Sequence, residues 1–336
     1  LPADAPAELR DYFQQTAVLP AWADRDLIDL GQQIYIRHGI WISLLLSYKS
    51  LPECYACAKG AEVLHRTARL NEQTGSMDTY SRRIAETAQF VVFAMSPGGL
   101  ASHGRGLVAA QKVRLIHAVI RYYLRKQNWD AAQYGEPINQ EDMAGTLMSF
   151  SALILQGLEQ AGINLEPVEK EAYIHCWRVV GHIVGLHDDL IPENAADALK
   201  LGTSILNHQM AESRQGAELM KALLEFQGKK SAVMMKPDTN LAMMRLMMGD
   251  KISDLLGVPE MKQSKIDRVS RNIKRITRIM EILDHSLVFA MVLQVFTKYT
   301  SLLMIRQMTK SKIINFYIPK SLKKDWEASK PKTQVS

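Results

Sequence analysis

Two stretches of this chain set histidine and arginine at helical spacing. In the first, Arg114, His117 and Arg121 fall at i, i+3 and i+7. In the second, His175, Arg178 and His182 repeat the pattern. The residues around them are largely apolar, so each set shares a helix face expected to point into a core. Buried imidazole and guanidinium groups need partners. An iron porphyrin offers both, with an axial position for imidazole and propionates for guanidinium. On this reading His117 and His182 are candidate iron ligands. Arg114, Arg121, His175 and Arg178 are candidate cofactor contacts, and Arg114 with His117 is the candidate catalytic pair. Met148 is a further candidate contact, because a thioether also ligates haem iron, although a methionine there more commonly fills a core. The competing reading is structural: core histidines bonded to neighbours, with the arginines reaching solvent. A non-haem metal site from His182, His187 and Asp188 fits poorly, since histidines at i and i+5 do not share a face.

The composition is that of a folded globular protein. Of 336 residues, 47% are hydrophobic and 23% charged, and the 17 methionines suit an adaptable apolar interior. The net charge of +6 is modest. Much of it lies in 262–274 and 320–324, which reads as a solvated basic face or as a surface drawn to anionic membranes. Nucleic acid is not expected as a partner, because aromatic residues are not interleaved with the basic ones. Three cysteines, Cys54, Cys57 and Cys176, do not make a disulfide framework and fit a reducing compartment. Cys54 and Cys57 form a lone CxxC with no second pair to complete a zinc site and no strand beside it. No signal-peptide pattern is visible at the first residues, so a cytoplasmic or peripheral membrane location is expected. The most apolar stretch, 286–305, contains Gln294 and Lys298 and reads as a buried core helix or a membrane-associated one.

Elements that would carry the two clusters are nearly all helical. Periodicity predicts helices over 6–15, 25–38, 39–48, 55–67, 81–95, 104–126, 139–161, 167–184, 195–212, 216–226, 242–256, 264–283 and 286–309. Ser96-Pro97-Gly98-Gly99 breaks the chain before the first cluster. Asn139 with Asp142 three residues on makes an N-cap, so Asp142 is expected to cap a helix rather than act as a base. Pro167 opens the second cluster's helix. The expected architecture is one all-α, multi-helix domain spanning 1–336, with 1–15 and 325–336 peripheral. HExxH, Walker A, GxSxG and dinucleotide-binding glycine motifs are absent from the sequence.

Three runs in order carry a family resemblance. They are Arg114 to Arg121, then Pro137-Ile138-Asn139-Gln140-Glu141-Asp142-Met143 leading to Phe150, then Tyr173 to Gly181. Pro20-Ala21-Trp22-Ala23-Asp24 and Phe316-Tyr317-Ile318-Pro319 extend the match over most of the chain. The set resembles the MpaB-type oxygenases and latex-clearing rubber oxygenases. That resemblance implies an all-α fold with a globin-like core around haem b. It also implies O2-dependent cleavage of a C=C bond in an apolar, isoprenoid-like substrate, giving aldehyde and ketone ends. Arg114 matches the family's haem-pocket arginine, and His117 stands where rubber-cleaving members carry a lysine. Two positions depart from the family. The proximal histidine's helix here reads Thr146-Leu147-Met148-Ser149, and Ser96-Pro97-Gly98-Gly99 has no acid ahead of the arginine helix. The iron ligand therefore has to come from His117, His175, His182 or Met148.

The leading expectation is a haem-dependent oxygenase, monomeric or homodimeric, using O2 and a small apolar substrate. The alternatives are a non-catalytic haem-binding protein, or a family member that uses another metal or none.

Overall fold

The computed structural model describes residues 5–69, 77–231 and 236–284. It is 78% helical, with no strand among the described residues. The helices are α1 (Ala7–Gln15), α2 (Arg25–Leu45), α3 (Leu51–Ala56), α4 (Ala58–Arg69), α5 (Met77–Met95), α6 (Arg105–Lys126), α7 (Ala131–Tyr134) and α8 (Gln140–Phe150). They continue with α9 (Ala152–Gln160), α10 (Pro167–Val184), α11 (Ala195–Gln209), α12 (Arg214–Ser231), α13 (Pro237–Met248), α14 (Asp250–Leu255) and α15 (Gln263–Asp284). The helix expected over 286–309 and the 316–319 motif lie outside the described residues.

Local chemistry sets the ends of the helices that carry the candidate residues. Asp24 caps α2, accepting from the Asp26 and Leu27 amides. Asn139 and Asp142 form a reciprocal capping box on α8, so Asp142 is a capping residue as expected. Glu166 and Glu169 do the same on α10, with Pro167 in its first turn. Gly185 ends α10 at φ +89°, in the left-handed region that favours glycine.

Helix α10 is the spine of the core. Trp177 and Tyr173 on it are fully buried, and Trp177 stacks on Phe150 of α8 with centroids 5.3 Å apart. Against α2 the approach is closest at Gly31. A Cβ there would lie 2.4 Å from the Ala172 carbonyl oxygen and 2.6 Å from Cys176 Sγ. Gly31→Ala should therefore push α2 off α10 and cost at least about 1–3 kcal/mol, because backbone cannot give way as a side chain can. Gly60→Ala in α4 should behave oppositely. A Cβ there meets nothing within 4 Å, so a gain of about 0.5–1 kcal/mol in helix propensity is expected. Denaturant midpoints at unchanged slope measure both.

Between α2 and α3 the chain makes a π-helical turn, Leu46–Ser50. It turns Tyr48, Lys49 and Ser50 inward. Tyr48 Oη donates to Asn240 Oδ1, Asn240 to Gln227 Oε1 at 3.2 Å, and Gln227 back to Ser47 Oγ at 2.9 Å. This chain of bonds ties the turn to α12 and α13.

Several boundaries differ from the periodic pattern. The expected helices 25–38 and 39–48 are one helix, because buried Gly39 continues it. The expected helix 139–161 is two, broken at Ser151 (φ −116°, ψ −89°), whose hydroxyl donates to the Leu147 carbonyl at 2.8 Å. The expected 55–67 is split at Cys57, whose ψ of 94° leaves the helical region. The expected 242–256 starts earlier, at Pro237, and breaks at Gly249 (φ +78°). Among the described residues no helix is long and apolar enough to cross a membrane.

Candidate functional site

The two histidine–arginine faces meet different surroundings. On α10 the set is gathered around Trp22, which the segment before α2 lays against the helix. The Arg178 guanidinium sits 4.7 Å from the Trp22 ring centre. His175 and His182 meet the same ring edge-on, at 5.8 and 6.0 Å. His175 is buried, and its Nε2 accepts the Asp24 amide N–H at 2.8 Å. Burial, with Arg178 next, lowers its pKa. His182 is partly exposed, and its Nδ1 pairs with Asp188 Oδ1 at 2.9 Å. It does not point into the core as its periodic position suggested, because the Asp188 turn draws it to the rim. His187 pairs with Asp189 rather than joining His182.

On α6 the set is left open. Arg114 crosses the end of α10 where there is no side chain to stop it; a Cβ at Gly185 would lie 2.8 Å from Arg114 Nε. Arg121 Nη1 donates to the Ile138 carbonyl at 3.0 Å and lies 4.0 Å from Met143 Sδ. His117 stands between them on the same face. Its Nδ1 is buried and has no hydrogen-bond partner. Burial, reinforced by the positive charge of Arg121, lowers its pKa to about 4. The ring is therefore a neutral imidazole at physiological pH, with a buried nitrogen uncommitted.

Gly185 is the joint of this arrangement. Gln140, at the start of α8, donates to the Gly185 carbonyl at 3.2 Å and accepts from the His187 amide at 2.8 Å. Farther along, Leu147 fills the space left by Gly181; a Cβ there would meet Leu147 Cδ2 at 2.6 Å. Met148 is buried on the other side of α8, against Gly202 of α11. Ser149 bonds Ser50 and Cys54. The departing stretch Thr146 to Ser149 is thus packed against three different helices.

Trp22, Gln140 and Gly185 were not singled out by spacing. Trp22 stood within a family motif, but its role depends on contacts more than 150 residues away in sequence. Cys54 and Cys57 are held in apolar surroundings that push both thiols up, Cys54 to about 11, which makes them poor nucleophiles. Among the described residues no group of three or more His, Cys, Asp or Glu side chains is placed to hold a metal ion.

Comparison with known proteins bears on this geometry. Residues 55–281 match the family described as ER-bound oxygenase mpaB/B'/rubber oxygenase, catalytic domain. The chain belongs to this family. Within that span fall α6, α8 and α10, and with them both histidine–arginine sets and Met148, while Trp22, Asp24 and Cys54 lie before it. The rubber oxygenase of Streptomyces sp. (strain K30) is 27% identical over 285 residues, covering 80% of this chain. The chain spans 64% of that relative's length. The closed state of the latex clearing protein LCP has the same fold, with a TM-score of 0.70 at 22% identity, covering 95% of this chain and 84% of that one.

Proposed function

We propose that this chain is an oxygenase that holds haem b through His117 and cleaves a C=C bond of an apolar, isoprenoid-like substrate with O2. The observation that carries the reading is the buried, unpartnered Nδ1 of a neutral His117. A ring nitrogen left without a partner in the interior costs free energy unless something binds it. His175 spends Nε2 on the Asp24 amide, and His182, held by Asp188, stands partly exposed at the rim rather than in the interior. Met148 is absorbed by α11 packing. His117 is therefore the donor that fits, and the guanidinium group of Arg121 fits as a counter-charge to a propionate.

Bound haem would supply the redox chemistry that lets O2 react with an alkene. The residues of the chain do the rest. His117 presents a neutral lone pair, kept unprotonated by burial and, after it, by the charge of Arg121. Arg114, one turn away, offers positive charge where negative charge develops on oxygen. Asp142 stays committed to its helix cap. The reaction balances without an external reductant: one O2 and one C=C give two carbonyl groups.

The test is an absorption spectrum of the purified protein, as isolated and with added hemin and dithionite. A Soret band is expected for wild type and for His182→Ala, and its loss is expected for His117→Ala. Arg114→Ala should keep haem and lose about 100-fold or more in the yield of aldehyde from an isoprenoid oligomer under O2. Full haem content in His117→Ala would overturn the ligand assignment. No Soret band in wild type with hemin present would overturn the haem.

A further inference from the structure

Helix α15 carries a surface that the α6–α8–α10 region does not explain. Its inner face is Ile266, Val269, Ile273 and Thr277, all buried. Thr277 anchors it by donating to the Ala161 carbonyl at the end of α9, at 2.9 Å. The opposite face holds Arg268, Arg271, Arg275, Arg278 and Ile282 at spacings of three and four, which places them in one line along the helix. Ile279 stands beside that line and Ile276 farther round, toward the buried face. These isoleucines are 50%, 51% and 65% exposed for Ile276, Ile279 and Ile282. The other large exposed apolar residues described, Val18, Tyr122 and Val168, lie singly on separate parts of the fold. No ion pair joins the four outer-face arginines to another described residue, and the exposed acids of the helix, Asp267 and Glu281, are fewer than its cations.

Scattered exposed side chains need no explanation, but an apolar stripe bordered by arginines that pair with no other described residue does. A solvated face would not gather isoleucine. A protein groove would need a line of acids matched to the four arginines, whereas a lipid surface supplies negative charge without such a register. An anionic lipid surface satisfies both, since the isoleucines enter the acyl boundary while the guanidinium groups reach the headgroups. We infer that the outer face of α15 is a peripheral docking surface for anionic membranes, with α15 lying in the plane of the interface. Such a contact would hold the protein where apolar substrates dissolve. It stands independently of the haem reading.

The experiment is sedimentation of the full chain with phosphatidylcholine vesicles, with and without phosphatidylserine, at low and raised salt. Wild type should sediment with the phosphatidylserine vesicles, release as salt is raised, and ignore the neutral ones. Arg271→Glu with Arg275→Glu should lower partitioning by about tenfold or more. Ile279→Ser with Ile282→Ser should also lower it several-fold without changing charge. All four positions are exposed, so an unchanged circular dichroism spectrum is expected for both pairs. Four outcomes overturn the inference. Two are wild type left unbound and wild type bound equally to neutral vesicles. The third is binding of both variants as wild type binds, which puts the contact elsewhere. The fourth is a lipid-free dimer in light scattering that Ile279→Ser with Ile282→Ser splits, which makes the face a contact between copies of this chain.

Discussion

Glu53→Ala is expected to lower the unfolding free energy by about 3–5 kcal/mol, a large share of what a domain of this kind has to lose. Glu53 and Lys49 are almost completely buried where the π-helical turn meets α3. Lys49 Nζ donates to Glu53 Oε1 at 2.7 Å, and its other described acceptor is the Met247 carbonyl at 3.4 Å. Removing the carboxylate strands an ammonium in the interior. The pair itself is not a net source of stability. Burial raises the Glu53 pKa against the pull of Lys49, and Glu53 Oε2 has no partner. Desolvation therefore outweighs attraction, as is common for buried pairs. The double variant Lys49→Met with Glu53→Leu should accordingly recover most or all of the loss. Guanidinium unfolding of the single and double variants decides the matter. A Glu53→Ala loss below about 1 kcal/mol would mean that water reaches Lys49.

Much of this fold could be read from local sequence, and where reading failed the cause was tertiary. Helix α10 appears over the expected 167–184 because Pro167 and Gly185 mark its ends in the chain itself. Helix α6 likewise runs from just after Gly104 to Lys126. Ser151 gave no warning of a break, since serine is neither a strong breaker nor out of place on an apolar helix. The turn there lets α8 and α9 pack separately. Gly39 gave the opposite false signal, because a helix held by tertiary packing tolerates the propensity cost of an interior glycine. The candidate site divides the same way. Periodicity put Arg114, His117 and Arg121 on one face and His175, Arg178 and His182 on another, and both faces exist. Which histidine stays open is decided by partners outside the clusters: Trp22 and Asp24, far off in sequence, and Asp188, just past α10, for the α10 set, and Ile138 and Gly185 for the arginines of the α6 set. No spacing within either cluster carries that information.

The open histidine has a pH signature that tests the site without any cofactor. The His117 pKa falls from an ordinary 6.5 to about 4 in the folded chain, so the unfolded chain binds the extra proton between those values. Its contribution is fully present above pH 6.5, declines as pH falls, and is gone near pH 4. The amount lost is about 3 kcal/mol. His175, also lowered by burial, adds a loss of the same sign. Asp142 works against both. Burial raises its pKa to about 6, so it favours the folded chain below pH 3.8 and gives up that advantage as pH rises toward 6. The wild-type profile alone is therefore flattened by cancellation, and the informative quantity is its difference from His117→Leu. That difference should favour wild type less at pH 4.5 than at pH 7, by about 2–3 kcal/mol, in haem-free protein. Added haem should then stabilise wild type and leave His117→Leu unmoved, because a ligand bound to the ring nitrogen competes with the proton for one lone pair. Parallel profiles for the two proteins would mean that His117 is solvated, and the case for it as the axial ligand would fall with that result.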